Sequence, residues 1–304
     1  MTAASDDASA IAGGGLRLDL SLLLPLALVA AIFWPLLPEL VHAWNTDPNY
    51  SHGFIVPLVS LAFAWLAWRE STERVPPAIS RREFVEGVLQ VVLGLVLHLA
   101  MWFTRNFFLD ALSLVCVLRG LLLALGGRAA SRTYSFPLLF LMFAAPLPIH
   151  WYQPVALAMQ QLVSQISTFL LRMLGVPVYQ EGYFLQLPGF TMEIAEACSG
   201  LRQLVAILAL GVAIGYLSGR GAVFRWCLGI LAIPIAVVAN CLRVVVSGVI
   251  VMTAGRQWGE GVYHTIEGLA IIALSAGLLV ASAWGMAWLE DKWDSRRTRL
   301  TPPG

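Results

Sequence analysis

A cysteine at the head of one apolar run, an arginine inside another and a histidine opening a third are the residues of this chain best suited to chemistry. Cys198 lies in Glu-Ala-Cys-Ser-Gly, where an alternating stretch gives way to a helical one, with Ser199 as a candidate cap. The open N–H groups and positive dipole end of a helix lower a thiol's pKa, and the thiolate is the attacking form. Cys198 is therefore a candidate nucleophile; the competing reading is a small residue packed at a helix start. Arg243 sits in Ala-Asn-Cys-Leu-Arg-Val within nearly unbroken apolar sequence, with Asn240 one turn away on the same face. A guanidinium at that depth needs a partner. It either stabilises an oxyanion or makes a structural ion pair with Glu193, Glu196 or Glu267. His264 precedes a helical run that carries Glu267 in its first turn, and an imidazole exchanges protons near neutral pH. His52, in Tyr-Ser-His-Gly, competes for that role, as do His98 and His150. Arg202 follows Cys198 by one helical turn and is open to Glu193 or Glu196.

Other chemistry can be built from the same residues. Cys198, His264 and the carboxylates Glu193, Glu196 and Glu267 are all acceptable zinc ligands. Against an intramembrane metalloprotease, His264 and Glu267 form H-x-x-E without a second histidine, and no H-E-x-x-H helix exists. Cys116, Cys227 and Cys241 lie in apolar runs without CxxC spacing, so neither a zinc ribbon nor a disulfide framework is expected. Buried Arg119 and Arg243 would also suit a transporter or lipid-handling protein, although the two halves show no internal repeat. Acyl transfer onto a lipid would use the same nucleophile as peptide cleavage.

The elements that must position these groups are membrane helices. The 304 residues are 59% hydrophobic and only 12% charged, with a mean hydropathy of +0.77. Soluble domains carry about 25% charged residues, so this composition excludes a soluble enzyme, a disordered chain and a nucleic-acid binder carried by a basic patch. Apolar runs of crossing length, about 20 residues, fall at 20–38, 53–68, 84–103, 107–126, 134–150, 200–217, 225–253 and 265–289. The run at 225–253 is long for one crossing and must tilt, protrude or break near Asn240.

Arginines and the single Lys292 sort the connections by side. Arg69, Arg74, Arg81 and Arg82, then Arg128 and Arg132, then Arg220 and Arg225, and finally Lys292, Arg296, Arg297 and Arg299 occupy alternate connections, whereas 39–52 and 173–201 carry no basic residue. Basic loops stay cytoplasmic, so both termini are expected inside, with Cys198, Arg243 and His264 all at the outer face. Residues 1–19 are expected to be a disordered cytoplasmic tail, 20–289 one transmembrane domain, and 290–304 a basic cytoplasmic tail.

Two further segments carry pattern. In 153–175, Gln161, Ser164, Gln165, Thr168 and Arg172 recur at helical spacing opposite an apolar face, an amphipathic helix too polar to meet lipid all round. It is expected at the outer interface or lining a cavity. Residues 176–194 alternate, with a turn at Glu181-Gly182, and predict two or three short strands that end just before Cys198. The fold class expected is an all-α polytopic membrane protein with about eight transmembrane helices, an interfacial amphipathic helix and a small periplasmic β element.

Three ordered blocks, Glu-Ala-Cys-Ser-Gly-Leu-Arg (196–202), Asn-Cys-Leu-Arg-Val (240–244) and Tyr-His-Thr-Ile-Glu-Gly (263–268), resemble the signatures of the exosortase/archaeosortase family. The stretch DPNYSHGFIVPLVS (47–60) resembles its earlier Ser-His-Gly region, and the likeness runs from about residue 40 to 285, closer to the bacterial branch. The resemblance implies a membrane-embedded cysteine protease or transpeptidase of the bacterial inner membrane. Cys198 would be its nucleophile, His264 its general acid/base and Arg243 its transition-state stabiliser. Glu193, Glu196, Arg202, Asn240, Glu267 and His52 would support them or contact substrate. Implied substrates are exported proteins with a C-terminal Pro-Glu-Pro-type motif, a hydrophobic helix and a basic tail, passed to water or an unidentified acceptor nucleophile. Membrane lipid is the surrounding partner; no cofactor, metal or nucleic acid is implied.

Overall fold

The computed structural model describes residues 20–71, 79–104, 106–194, 201–255 and 262–300. The expected N-terminal tail, Glu196 and Cys198 lie outside them. The described helices are α1 (Leu20–Ile32), α2 (Leu36–Thr46), α3 (Ile55–Glu70), α4 (Arg81–Thr104), α5 (Phe107–Phe140), α6 (Ile149–Met173), α7 (Leu201–Leu217), α8 (Ala222–Ala254) and α9 (Val262–Leu300). Strands β1 (Tyr179–Glu181), β2 (Phe184–Leu187) and β3 (Phe190–Glu193) stand between α6 and α7. This is an all-α polytopic membrane protein. Among the described residues, six helices are long and apolar enough to cross a membrane, and α1 with α2, bent by 57°, would make a seventh. The tally differs from the eight expected for identifiable reasons. It includes α6, leaves out α7 at 17 residues, and takes α5 as one span.

The chain forms two compact units, Met1–Glu39 with Ser60–Met142, and Leu40–Val59 with Phe143–Gly304. In the first, α5 is two helices rather than one. Gly127 leaves the helical region at φ 70, ψ −174, a left-handed conformation that glycine adopts at little cost. Arg119 Nε donates to Ser135 Oγ at 3.2 Å, although the two residues are sixteen apart. In one straight helix they would be separated by about 24 Å, so the chain reverses at Gly127 into a helical hairpin. That reversal falls between the apolar runs read at 107–126 and 134–150, and it supplies the partner of the half-buried Arg119. α4 packs on the hairpin through small residues: a Cβ on Gly87 would come within 2.7 Å of the Gly120 carbonyl oxygen. His98 Nδ1 lies 2.6 Å from Asp110 Oδ1, both side chains largely buried, which pins α4 to the start of α5.

In the second unit α7, α8 and α9 share a core of Ile207, Leu228, Ala232, Ala236 and Leu279. α8 runs unbroken through Asn240 for 33 residues, so the long run at 225–253 does not break there. At 1.5 Å per residue it spans about 50 Å, against roughly 30 Å of hydrocarbon, and must therefore tilt or protrude. At the opposite end of the seam, Arg220 in the α7–α8 connection grips Asp291 at 2.9 and 3.0 Å and Glu290 at 2.8 Å of α9. Those carboxylates push the Arg220 pKa further up from its ordinary value.

The expected strand element is an antiparallel meander in the order β1-β2-β3, with Glu181 opposite Phe184 across the Gly182 turn (φ 60) and Leu187 opposite Phe190. Leu185, Leu187 and the following Ile194 turn inward onto Val163 and Leu171 of α6 and Cys241, Val244 and Val245 of α8. α6 is helical as expected, but the expected polar stripe divides: Gln161, Gln165 and Arg172 are exposed, and only Ser164 and Thr168 of it are covered. Gln160, Ser164, Ser167 and Thr168 are buried, while Leu157, Phe169 and Met173 are exposed. Ser167 donates to the Cys241 carbonyl of α8.

Candidate active site

Three polar residues stand at one helical face of α8, at positions 240, 243 and 247, inside an otherwise apolar stretch. Asn240 is fully buried and Arg243 is half-buried. Across the seam, a Cβ built on Gly268 would lie 3.7 Å from Arg243 Nη2 and 3.9 Å from Cζ, so the guanidinium rests against α9 at that glycine. One turn further along α8, Ser247 Oγ donates to the Glu267 carboxylate, 2.6 Å from Oε1 and 2.7 Å from Oε2. The second and third sequence blocks are thus brought together. His264 enters through its backbone position, in the first turn of α9 and one turn ahead of Gly268.

The described residues on either side of the first block are both anchored. Upstream, Ile194 is fully buried and its N–H donates to the Tyr183 carbonyl at 3.0 Å. Glu193, the last residue of β3, is exposed. Downstream, α7 begins at Leu201, carries the half-buried Arg202, and anchors through Gln203, whose amide donates to Ser275 of α9. The helical register gives the level of that anchor. A Cβ on Gly215 would meet Arg225, and one on Gly211 would meet Leu228 and Ala232. α7 and α8 are therefore antiparallel, and ten residues back from Gly211 brings Leu201 to about the level of Asn240, with equal rise on both helices.

The Ser-His-Gly region reaches the same unit by a different route. Trp44 Nε1 donates to the Ala144 carbonyl at 2.7 Å, the Leu147 N–H donates to Tyr50 Oη at 3.2 Å, and His52 Nε2 lies 3.0 Å from the Phe143 carbonyl. A carbonyl only accepts, so His52 Nε2 carries its proton and donates it there. Tyr50 faces Tyr152 with ring centroids 6.3 Å apart, and Leu204 in the first turn of α7 packs against the cluster that Tyr152 forms with Ala156. His52 thus latches the segment ahead of α6, and this latch touches the helix that follows Cys198. Of the other histidines, His98 is engaged by Asp110 in the first unit, and His150 is exposed at the start of α6.

Gly53 completes the latch, because a Cβ there would fall inside the Trp44 indole. Gly53→Ala is expected to displace Trp44, break its bond to Ala144 and destabilise the fold by about 1–3 kcal/mol. Thermal melts in detergent check this, with Gly53→Ala/Trp44→Ala less destabilised than the sum of the two single changes.

Ser247, Trp44 and the Gln203–Ser275 pair were not singled out from the sequence. For Ser247 a signal exists: it continues the stripe of Asn240 and Arg243 at helical spacing.

Residues 44–281, well over half of the chain, match the model of a protein family described as transmembrane exosortase. No match is found among curated proteins or among solved structures.

Proposed function

Since the chain belongs to the transmembrane exosortase family, we propose that it is a cysteine protease or transpeptidase that removes the C-terminal sorting signal of exported proteins. In this reading Cys198 is the nucleophile, Arg243 the oxyanion stabiliser and His264 the general acid/base. The observation that carries it is the seam between α8 and α9, where Arg243 rests against Gly268 one turn from His264. The covalent chain supports the third member. Cys198 is four residues past Ile194 and three before Leu201, distances an extended chain covers in about 14 and 11 Å. Leu201 starts at about the level of Asn240, one turn from Arg243.

The steps follow from these roles. The substrate's hydrophobic helix enters the membrane beside the enzyme, with its Pro-Glu-Pro-type motif at the outer face of the inner membrane and both enzyme termini inside. The Cys198 thiolate adds to the scissile carbonyl carbon; the C–S bond forms and the carbonyl electron pair becomes an oxyanion at the Arg243 guanidinium. The C–N bond then breaks, His264 gives the leaving amine its proton, and a thioester remains. Water or an acceptor nucleophile resolves it, losing its proton to His264. Glu193, Glu196, Arg202, Asn240 and Glu267 shape the surroundings, and His52 holds the latch.

The test is a tagged protein ending in a Pro-Glu-Pro motif, a hydrophobic helix and an arginine tail taken from the same genome, co-expressed with the enzyme. Its new C-terminus is read by intact mass. Loss of helix and tail is expected, unchanged by chelators, and any added mass identifies the acceptor. An intact substrate beside folded enzyme overturns the peptidase reading; loss of cleavage on chelation favours a metalloprotease.

A further inference from the structure

We infer that Ser247 is a positioning residue for this reaction: its hydroxyl holds the Glu267 carboxylate and so fixes the α8–α9 seam on which Arg243 and the first turn of α9 meet. The inference rests on the proposed roles of Arg243 and His264 and adds a residue outside all three sequence blocks.

A half-buried carboxylate between two apolar helices needs a donor, because desolvation without one is costly. Ser247 Oγ supplies it almost symmetrically, at 2.6 and 2.7 Å from the two oxygens. The carboxylate is therefore aimed at α8, and rotating Glu267 away loses both contacts together. A second point of contact lies beside it, since Arg243 touches α9 at Gly268. On α8 the two points are one turn apart, about 6 Å along the axis. On α9 they fall on consecutive residues. Further along α9 the helix is held by Gln203 through Ser275 and by Arg220 through Asp291 and Glu290; at its first turns the Ser247–Glu267 bond, beside the Arg243 contact, sets its local rotation and its distance from α8. His264 stands three residues before Glu267 and four before Gly268, on the same stripe of α9 by helical spacing. Rolling α9 would swing that stripe away from Arg243, and misplacement of reacting groups by about 1 Å costs up to about 100-fold in rate.

The experiment compares Ser247→Ala, Ser247→Thr, Glu267→Gln and Cys198→Ala as full-length enzymes in detergent, with turnover and KM measured on the signal-bearing substrate. Ser247→Ala is expected to lower kcat about 10- to 100-fold, with KM within about threefold of wild type. Ser247→Thr, which keeps the hydroxyl, restores most of the rate. Combining Ser247→Ala with Arg243→Lys gives less than the product of the two losses, because both act through one seam. A residue that only stabilises the fold would lower the melting temperature and leave kcat per folded molecule unchanged, without coupling to Arg243; that result overturns the inference, as does wild-type kcat in Ser247→Ala. Glu267→Gln, which still offers the hydroxyl an acceptor, is expected to keep most of the rate; if Ser247→Ala does not accumulate, Glu267→Ala, which removes the acceptor, decides in its place, a lowered kcat coupled to Arg243→Lys supporting the inference and wild-type kcat overturning it. Cys198→Ala separates the two levels. If it still cleaves, the proposed function fails; if it is inactive while Ser247→Ala keeps full kcat, only the present inference falls.

Discussion

Replacing Cys198 by alanine is expected to stop release of the C-terminal signal, with turnover reduced by at least about a thousandfold. The expected size follows from covalent catalysis: without the sulfur there is no thioester, and what remains is binding and oxyanion stabilisation acting on a water that no group has been arranged to activate. Cys198→Ser is expected to fall nearly as far, because an alcohol is far less acidic than a thiol and the attacking form is the anion. The substrate accumulates at its full mass with either variant. Wild-type enzyme quenched during turnover carries the substrate's N-terminal portion as an adduct that hydroxylamine removes. Cleavage at the normal rate by Cys198→Ala would end the nucleophile assignment.

The second large effect is at Arg243. Its guanidinium lies half-buried between two apolar helices, where an ionic hydrogen bond to a developing oxyanion is worth far more than in water. Arg243→Ala is expected to lower kcat by about 100- to 1,000-fold, with little change in KM, because the oxyanion exists only after attack. Arg243→Lys keeps a positive charge but loses the planar fork, and should recover only part of that rate. Single-turnover kinetics with thermal melts distinguish this role from a structural one. A purely structural ion pair would lower the melting temperature and leave the rate per folded molecule intact.

The membrane architecture was legible because hydropathy and arginine placement are properties of whole segments. The segment at 107–150 shows both the strength and the limit of that reading. Two spans with Arg128 and Arg132 between them were visible, and the reversal at Gly127 agrees. Arg119's partner was not, because Ser135 becomes its neighbour only once the hairpin closes. In α6 the period was legible but not its direction. Ser164, Ser167 and Thr168 suit water as well as a neighbouring helix, and the carbonyl that takes the Ser167 proton belongs to Cys241, seventy-four residues away. Arg243 and Glu267 were both visible as candidates, with an ion pair to Glu267 among the options for Arg243. The hydroxyl that engages Glu267 came from Ser247, which passes for filler in an apolar run. Such pairings live in the register between helices, which no local pattern encodes.

The buried hydroxyls of α6 set an order of assembly. α6 leaves the ribosome before α8, with about 50 residues between them, roughly 2 to 10 s of synthesis. During that interval Ser167 has no Cys241 carbonyl to donate to. A helix whose small hydroxyls face hydrocarbon gains by staying in the headgroup region, where water serves them. Insertion of α6 is thus expected to be completed by the arrival of α8, and nascent chains stalled before residue 222 should hold α6 at the bilayer surface, open to water-soluble labels at Ser167→Cys. In full-length protein the same position is sealed. The half of this molecule that carries Arg243 is then assembled backwards, its earlier helix waiting for a later one to give it an interior.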